Sequence, residues 1–304
     1  RGYTNGIRAV SFLGSQHLIS GGDSRELSVW DSASAECRAN LSLHQGRIWE
    51  IALDRKNARI ASASDAHTVR LWDANTGQCL ATFAEHTSWV RTVDFSRRGR
   101  LLASAGDDGT IRIWNTASGF CVKVIEPGHH WIHSARFDPT NSRYLISGGD
   151  EGVVRHWHRK DGFSQPMARH DHRICSVAYS SDAKLVASGS DDSTVILWDV
   201  EKGEVCDHFT EPDLSIKTVA FSPGNRYLAA GGEDQIVYLW DLLTPERVLY
   251  KLRPDSLSRL AGGIRCVAFS LDGSVLISAG LDATIRIANL SELSSQLPQE
   301  SPML

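Results

Sequence analysis

No run of apolar residues in this chain approaches the roughly 18 needed to cross a bilayer as a helix. Strong charge of one sign is missing too: 32 lysines and arginines face 36 aspartates and glutamates, leaving −4. That balance gives no electrostatic case for nucleic acid or an anionic membrane as the main partner. Phosphate-cradling loops of the GxxxxGK[ST] or GxGxxG type are lacking, so no cofactor is expected. No segment carries a convincing helical period. Cysteines are few, 6 in 304 residues, and they do not suggest a disulfide framework. Cys37, Cys79 and Cys121 fall 42 residues apart, Cys206 takes the matching place two units later, and Cys175 and Cys266 share another place. Thiols at equivalent places in separate units point to a reducing, cytoplasmic setting. The chain opens at Arg1 rather than methionine, so a piece of a longer protein is expected.

What is present is a repeat. SAGDDGTIRIW (104–114) carries a serine, a turn with two aspartates and a closing tryptophan, and His86 stands eighteen residues before Ser104. Serine, histidine and aspartate together invite a hydrolytic reading. The stretch recurs, however, as SGGDSRELSVW (20–30), SASDAHTVRLW (62–72), SGGDEGVVRHW (147–157), SGSDDSTVILW (188–198), AGGEDQIVYLW (230–240) and SAGLDATIRIA (278–288). The closing places, Trp30, Trp72, Trp114, Trp157, Trp198, Trp240 and Ala288, are 42, 42, 43, 41, 42 and 48 residues apart. A serine repeated at Ser20, Ser62, Ser104, Ser147, Ser188 and Ser278 is a structural position rather than a nucleophile, so no catalysis is expected.

Each unit reads as four strands. In the third these are WVRTVDF (89–95), RLLASAG (100–106), TIRIWN (110–115) and FCVKVI (120–125), with glycine or aspartate pairs at the turns. Seven such units predict an all-β fold: a seven-bladed β-propeller of four-stranded antiparallel blades over residues 1–290, with a polar tail at 291–304.

The pattern EHTSWVRTVDFS followed by LLASAGDDGTIRIWN resembles the WD-repeat family, with Trp-Asp at Trp30-Asp31, Trp72-Asp73, Trp198-Asp199 and Trp240-Asp241. The resemblance implies a hydrogen-bonded quartet in each complete unit. By position these are His86, Ser104, Asp108 and Trp114, and then His170, Ser188, Asp192 and Trp198. Other units are incomplete: Ser24 and Ala66 replace the turn aspartate, Glu151 is a longer acid, Ala230 replaces the serine and Ala288 the indole. Blade seven is therefore expected to be the least stable. The resemblance also implies closure of the ring by an outer strand from one terminus. The polar 291–300, with Pro298, makes a poor strand, so an upstream one is expected.

Histidines cluster at His129, His130, His133, His156, His158, His170 and His172, but His129 and His170 fall at structural positions and no metal site is expected. The starts of the first strands are more informative. In WD propellers these places border the central opening on the face used for partners. They put Arg47, Trp49, Trp89, Arg91, Trp131, His133, Arg173, Lys217 and Arg265 around a mouth. The acids Asp23, Asp65, Asp107, Asp150, Asp191 and Glu233 are expected to ring it. Two arrangements stay open: an exposed aromatic and basic mouth, or tryptophans packed over blade edges with the arginines paired to the acids. An insertion at 253–263 belongs to the same face.

The expected function is a non-catalytic protein-protein interaction or sensor module, forming the C-terminal part of a larger signalling protein. Its partner would be a protein or peptide, or another domain of its own parent chain. The alternative is a structural scaffold subunit of a stable complex.

Overall fold

A computed structural model describes residues 5–128, 130–245, 247, 249–252 and 262–293. The chain forms seven antiparallel meanders, each with its strands hydrogen-bonded in sequence order. Six sheets have four strands, and the third runs Val90–Phe95, Leu101–Gly106, Ile111–Asn115 and Cys121–Ile125. Among the described residues the seventh has three: Ile264–Phe269, Val275–Gly280 and Ile285–Asn289. The first strand of each blade touches the first strands of its neighbours, and Ile7–Phe12 meets Ile264–Phe269, so the ring closes. The fold is the seven-bladed propeller read from the sequence. Residues 294–300, which bear on the ring-closing strand, lie outside the described residues, as do 253–261 of the insertion.

Small residues let the sheets wedge. Every second strand is buried along five of its six positions. Its penultimate residue is Gly or Ala, and the aliphatic residue that begins the next blade fills the space above it. A Cβ on Gly148 would come within 2.5 Å of Ile174, and one on Gly231 within 2.7 Å of Ile264. In blade three Ala105 packs in one cluster with Ile132. Flat, close contacts of this kind fill the volume at crystal-like density, so any larger side chain must push two sheets apart.

The closing tryptophan of each blade packs backward onto the preceding one. Trp114 lies among Ala61, Leu71 and Phe83 of blade two, with its ring 5.1 Å from that of Phe83. Trp240 sits 4.6 Å from the ring of Phe209 of blade five. Trp72, Trp114, Trp198 and Trp240 are all at most 1% exposed. In blade seven Ala288 occupies this place and packs, as Tyr250 and Leu252 do, against the cluster of Val237, Leu239 and Ile264.

Candidate partner-binding face

The quartets form, and they shape the loops that precede the first strands. The Asp108 carboxylate lies 2.6 Å from His86 Nδ1, and His86 Nε2 lies 2.7 Å from the Ser104 hydroxyl, which also accepts the Trp114 indole N–H at 2.8 Å. An ionised carboxylate only accepts, so Nδ1 carries the proton and Nε2 accepts from Ser104. Burial alone would raise the Asp108 pKa, but the hydrogen bond from His86 and those from Thr110 outweigh it and hold the carboxyl well below its usual range. Blade five repeats the set: Asp192 to His170 at 2.9 Å, His170 to Ser188 at 2.7 Å, Trp198 to Ser188 at 3.4 Å. Ser104 and Ser188 are fully buried and engaged on both sides. Neither is placed to attack a substrate.

Each aspartate has a second task. Asp108 also accepts the Thr87 N–H at 3.1 Å, and Asp192 the Asp171 N–H at 3.1 Å. These bonds pin the short segments that end in Trp89 and in Arg173. Blade two shows what the acid supplies. There His44 reaches Ser62 at 2.6 Å and Trp72 donates to Ser62 at 2.9 Å, but Ala66 offers no carboxylate. His44 Nδ1 is buried with no partner among the described residues. Burial, with a smaller effect from the Arg70 charge, lowers the His44 pKa to about 4. Blade six loses the serine: Trp240 Nε1 is buried without a partner among the described residues, and Asp234 binds the Tyr238 hydroxyl at 2.7 Å instead. In blade four Glu151 turns to Arg155 at 2.7 Å, while His129 lies outside the described residues.

The mouth combines both arrangements left open by the sequence. The basic residues one place into the first strands turn onto the acid of their own blade. Arg8 meets Asp23 at 2.7 Å, Arg91 grips Asp107 through two bonds of 2.7 Å, and His133 meets Asp150 at 2.8 Å, whereas Arg265 of blade seven, whose own place holds Leu281, reaches back to Glu233 of blade six at 2.9 Å. Lys217 crosses to Asp191, which also receives Arg173 and the Cys175 thiol. The acids therefore form no separate outer ring. The pleat sends each acid and its base to the same rim, and an ion pair costs less there than two unpaired charges. Trp49 also departs from the exposed position read from sequence. It is half-buried between the guanidinium groups of Arg8 and Arg91, each 4.1 Å from its ring, and it stacks on Trp89 with centroids 6.0 Å apart.

Four residues stay outward, all at the place immediately before a first strand: Arg47, Trp89, Trp131 and Arg173. Trp89 is 38% exposed and Trp131 45%, and the side chains of Arg47 and Arg173 are 47% and 46% exposed. They occupy four consecutive blades. The same place holds Gly6, Ser215 and Gly263 in blades one, six and seven, so the rim is tall on one side and low on the other. The histidine cluster disperses: His133 pairs with Asp150, His158 with Asp161, His170 enters its quartet, and His156 packs on Tyr144.

The rim encircles a central cavity of about 950 Å³ lined by all seven first strands. A belt around this cavity was not read from the sequence. The third residue of a first strand accepts the otherwise unpaired N–H of the next blade's inner strand. Glu50 takes Val93 N–H at 3.1 Å and Thr92 takes Ala135 at 3.2 Å. Ser134 takes Val177, and Ser176 takes Val219, each at 3.2 Å, and Thr218 takes Val267 at 3.3 Å. Cys266 and Ala9 break the series at the two seams of blade one; Cys266 donates to the Val10 carbonyl at 3.4 Å instead. An alignment of the repeats at this one position would have shown the run Glu, Thr, Ser, Ser, Thr. Inside the cavity Arg136 bridges to Glu50 beside the half-buried Asp94.

The profile described as WD domain, G-beta repeat matches residues 35–73, 77–115, 119–158, 164–199, 203–241 and 255–289. The chain belongs to the WD40 repeat family. The first five matched WD40 segments each begin at or just before the outer strand of one blade and end on the third strand of the next, as 77–115 does with Cys79–Phe83 and Ile111–Asn115. The WD40 unit thus straddles the interface that the tryptophan fills, which places the family's signature at the joint between sheets. No curated protein matches the chain. WD40 propellers are typically non-catalytic and bind protein partners. No helix among the described residues is long and apolar enough to cross a membrane.

Proposed function

We propose that this WD40 propeller is a sensor or recognition module that receives a protein or peptide on the tall side of its mouth, as one part of a larger signalling protein. The observation that carries this reading is the exposure of Trp89 and Trp131 at matching places of adjacent blades, Trp89 on a segment that Asp108 pins. Exposed indoles on a stable frame are costly in water and are enriched where binding energy concentrates. Arg47 and Arg173 flank them. Trp49, Arg91, His133, Lys217 and Arg265 form the paired support beneath. A reducing, cytoplasmic setting fits the six free thiols.

Replacing Trp89 and Trp131 together with alanine should abolish partner capture while the melting temperature stays nearly unchanged. Loss of folding would show instead that the indoles serve packing. A scaffold role within a stable complex is favoured by a different feature. Phe120 and Phe163, at the outer edges of blades three and four, are 72% and 64% exposed, and Leu80 and Val122 lie half-exposed on outer strands. A scaffold would co-purify with partners at fixed stoichiometry and would tolerate the double tryptophan change.

A further inference from the structure

We infer that the ligand of this mouth is a short anionic peptide segment, with carboxylates or phosphates flanking an apolar side chain; the inference rests on the mouth being the binding face.

Arg47 and Arg173 differ from the other rim bases in how they are held. Arg91 spends Nε and Nη2 on Asp107 and its side chain is 12% exposed. Arg8 is 13% exposed and lies on the Trp49 ring. Arg173, by contrast, is tied through Nε alone, at 2.5 Å from Asp191. Arg47 approaches Asp65 through Nε at 3.5 Å, beyond good hydrogen-bond length. No hydrogen bond joins Nη1 or Nη2 of either residue to a described group. The acid behind each arginine orients it, and the fork is left open at the rim. A guanidinium fork matches the two oxygens of a carboxylate or phosphate, and its donors are five fixed N–H groups.

Charge exposure agrees. The rim acids are 6 to 35% exposed and face bases, whereas the two open forks are nearly half exposed. An approaching ligand meets cationic heads first. Between them stand two indoles in adjacent blades. Trp89 is stiffened by Trp49 on one side and by Arg91, 4.8 Å from its ring, and its segment is pinned by Asp108. A site ordered before binding loses less entropy on capture. The sequence of the rim, Arg, Trp, Trp, Arg across blades two to five, therefore reads as anion, apolar, anion on the ligand. A basic segment would face two guanidinium forks whose outer donors point at it and is disfavoured.

The test uses the full chain, three fluorescein-labelled peptide probes and a labelled oligothymidylate in anisotropy titrations at low and physiological salt. One probe is acetyl-Glu-Asp-Trp-Asp-Glu-amide. Another replaces its acids by Gln and Asn, and a third carries phosphoserine at the outer positions. The acidic probe should bind about tenfold or more tighter than the amide probe, since one charge-assisted bond is worth roughly that factor. Tighter binding of the phosphoserine probe would assign the source to phosphate; equal or weaker binding would assign it to carboxylate. Arg47→Gln with Arg173→Gln should erase the preference and its salt dependence while thermal melting is unchanged. Arg47→Lys with Arg173→Lys should retain part of it. Equal binding of the acidic and amide probes, lost only in the Trp89→Ala, Trp131→Ala variant, would overturn the anion inference and leave the mouth as a binding face. Binding of neither probe, or stronger binding of a fluorescein-labelled oligothymidylate, would also overturn it.

Discussion

Blades two and three are neighbours that differ at one decisive residue, Ala66 against Asp108. Both build the histidine, serine and tryptophan chain, with closely similar lengths: 2.6 and 2.9 Å in blade two, 2.7 and 2.8 Å in blade three. The acid is thus not what links the turn to the indole. It supplies two other things. It satisfies the outer nitrogen of the histidine, which in blade two is buried and unpartnered. It also clamps the segment before the first strand through Thr87, and that segment ends in Trp89. Blade two, without the clamp, holds Arg47 by one long contact. Part of the quartet stabilises the sheet; the other part fixes what the blade displays.

The largest effect should come from what the two blades share. Trp72→Ala and Trp114→Ala should each cost about 3–5 kcal/mol in chemical denaturation, because both rings are fully packed against the preceding sheet. A clear difference between them would mean that the acid also governs packing, and would break the comparison.

Next in size is acid sensitivity. His44 titrates near 4 in the folded protein, below its ordinary 6.5. The unfolded chain therefore binds the extra proton first as pH falls. Stability is full above 6.5 and is lost down to about 4, by about 3 kcal/mol for this group. Ala66→Asp should give His44 a partner, raise its pKa and flatten that part of the profile. Asp94 acts with the opposite sign. Burial, against the opposing charge of Arg136, raises it to about 6. It therefore favours the fold at low pH and loses that contribution as pH rises through 6. The difference between the wild-type and Ala66→Asp profiles cancels it. Identical profiles would remove His44 from the account.

The smallest effect extends the comparison to blade seven, which lacks both the indole and a belt hydroxyl at Cys266. Amides of Val275–Gly280 should exchange faster than those of Leu101–Gly106, through local rather than global opening. Blade seven amides among the best protected would contradict this.

The propeller was legible because each blade is a local meander repeated in register, and the repeat of Ser, Gly, Asp and Trp marks its turns. The quartets were legible through the resemblance to WD repeats, carried by position onto four residues that lie within thirty of one another. The belt escaped because a hydroxyl at Thr92 or Ser134 looks like any polar strand residue until the next blade's N–H is placed against it. The pairing of Arg91 with Asp107 and the sandwiching of Trp49 by Arg8 and Arg91 escaped as well. Both turn on side-chain direction, and the second requires three blades at once.

By itself the order of residues settled the blade count and the strands of the first six blades, which are short-range in the chain, and the resemblance to WD repeats supplied the polar quartets. Only the closed ring decided which bases are neutralised and which stay open. Charges from different blades meet across 26 residues at the rim, where Lys217 reaches Asp191, and across 86 inside the cavity, where Arg136 reaches Glu50, and their pairing depends on the angle at which one sheet stands against the next.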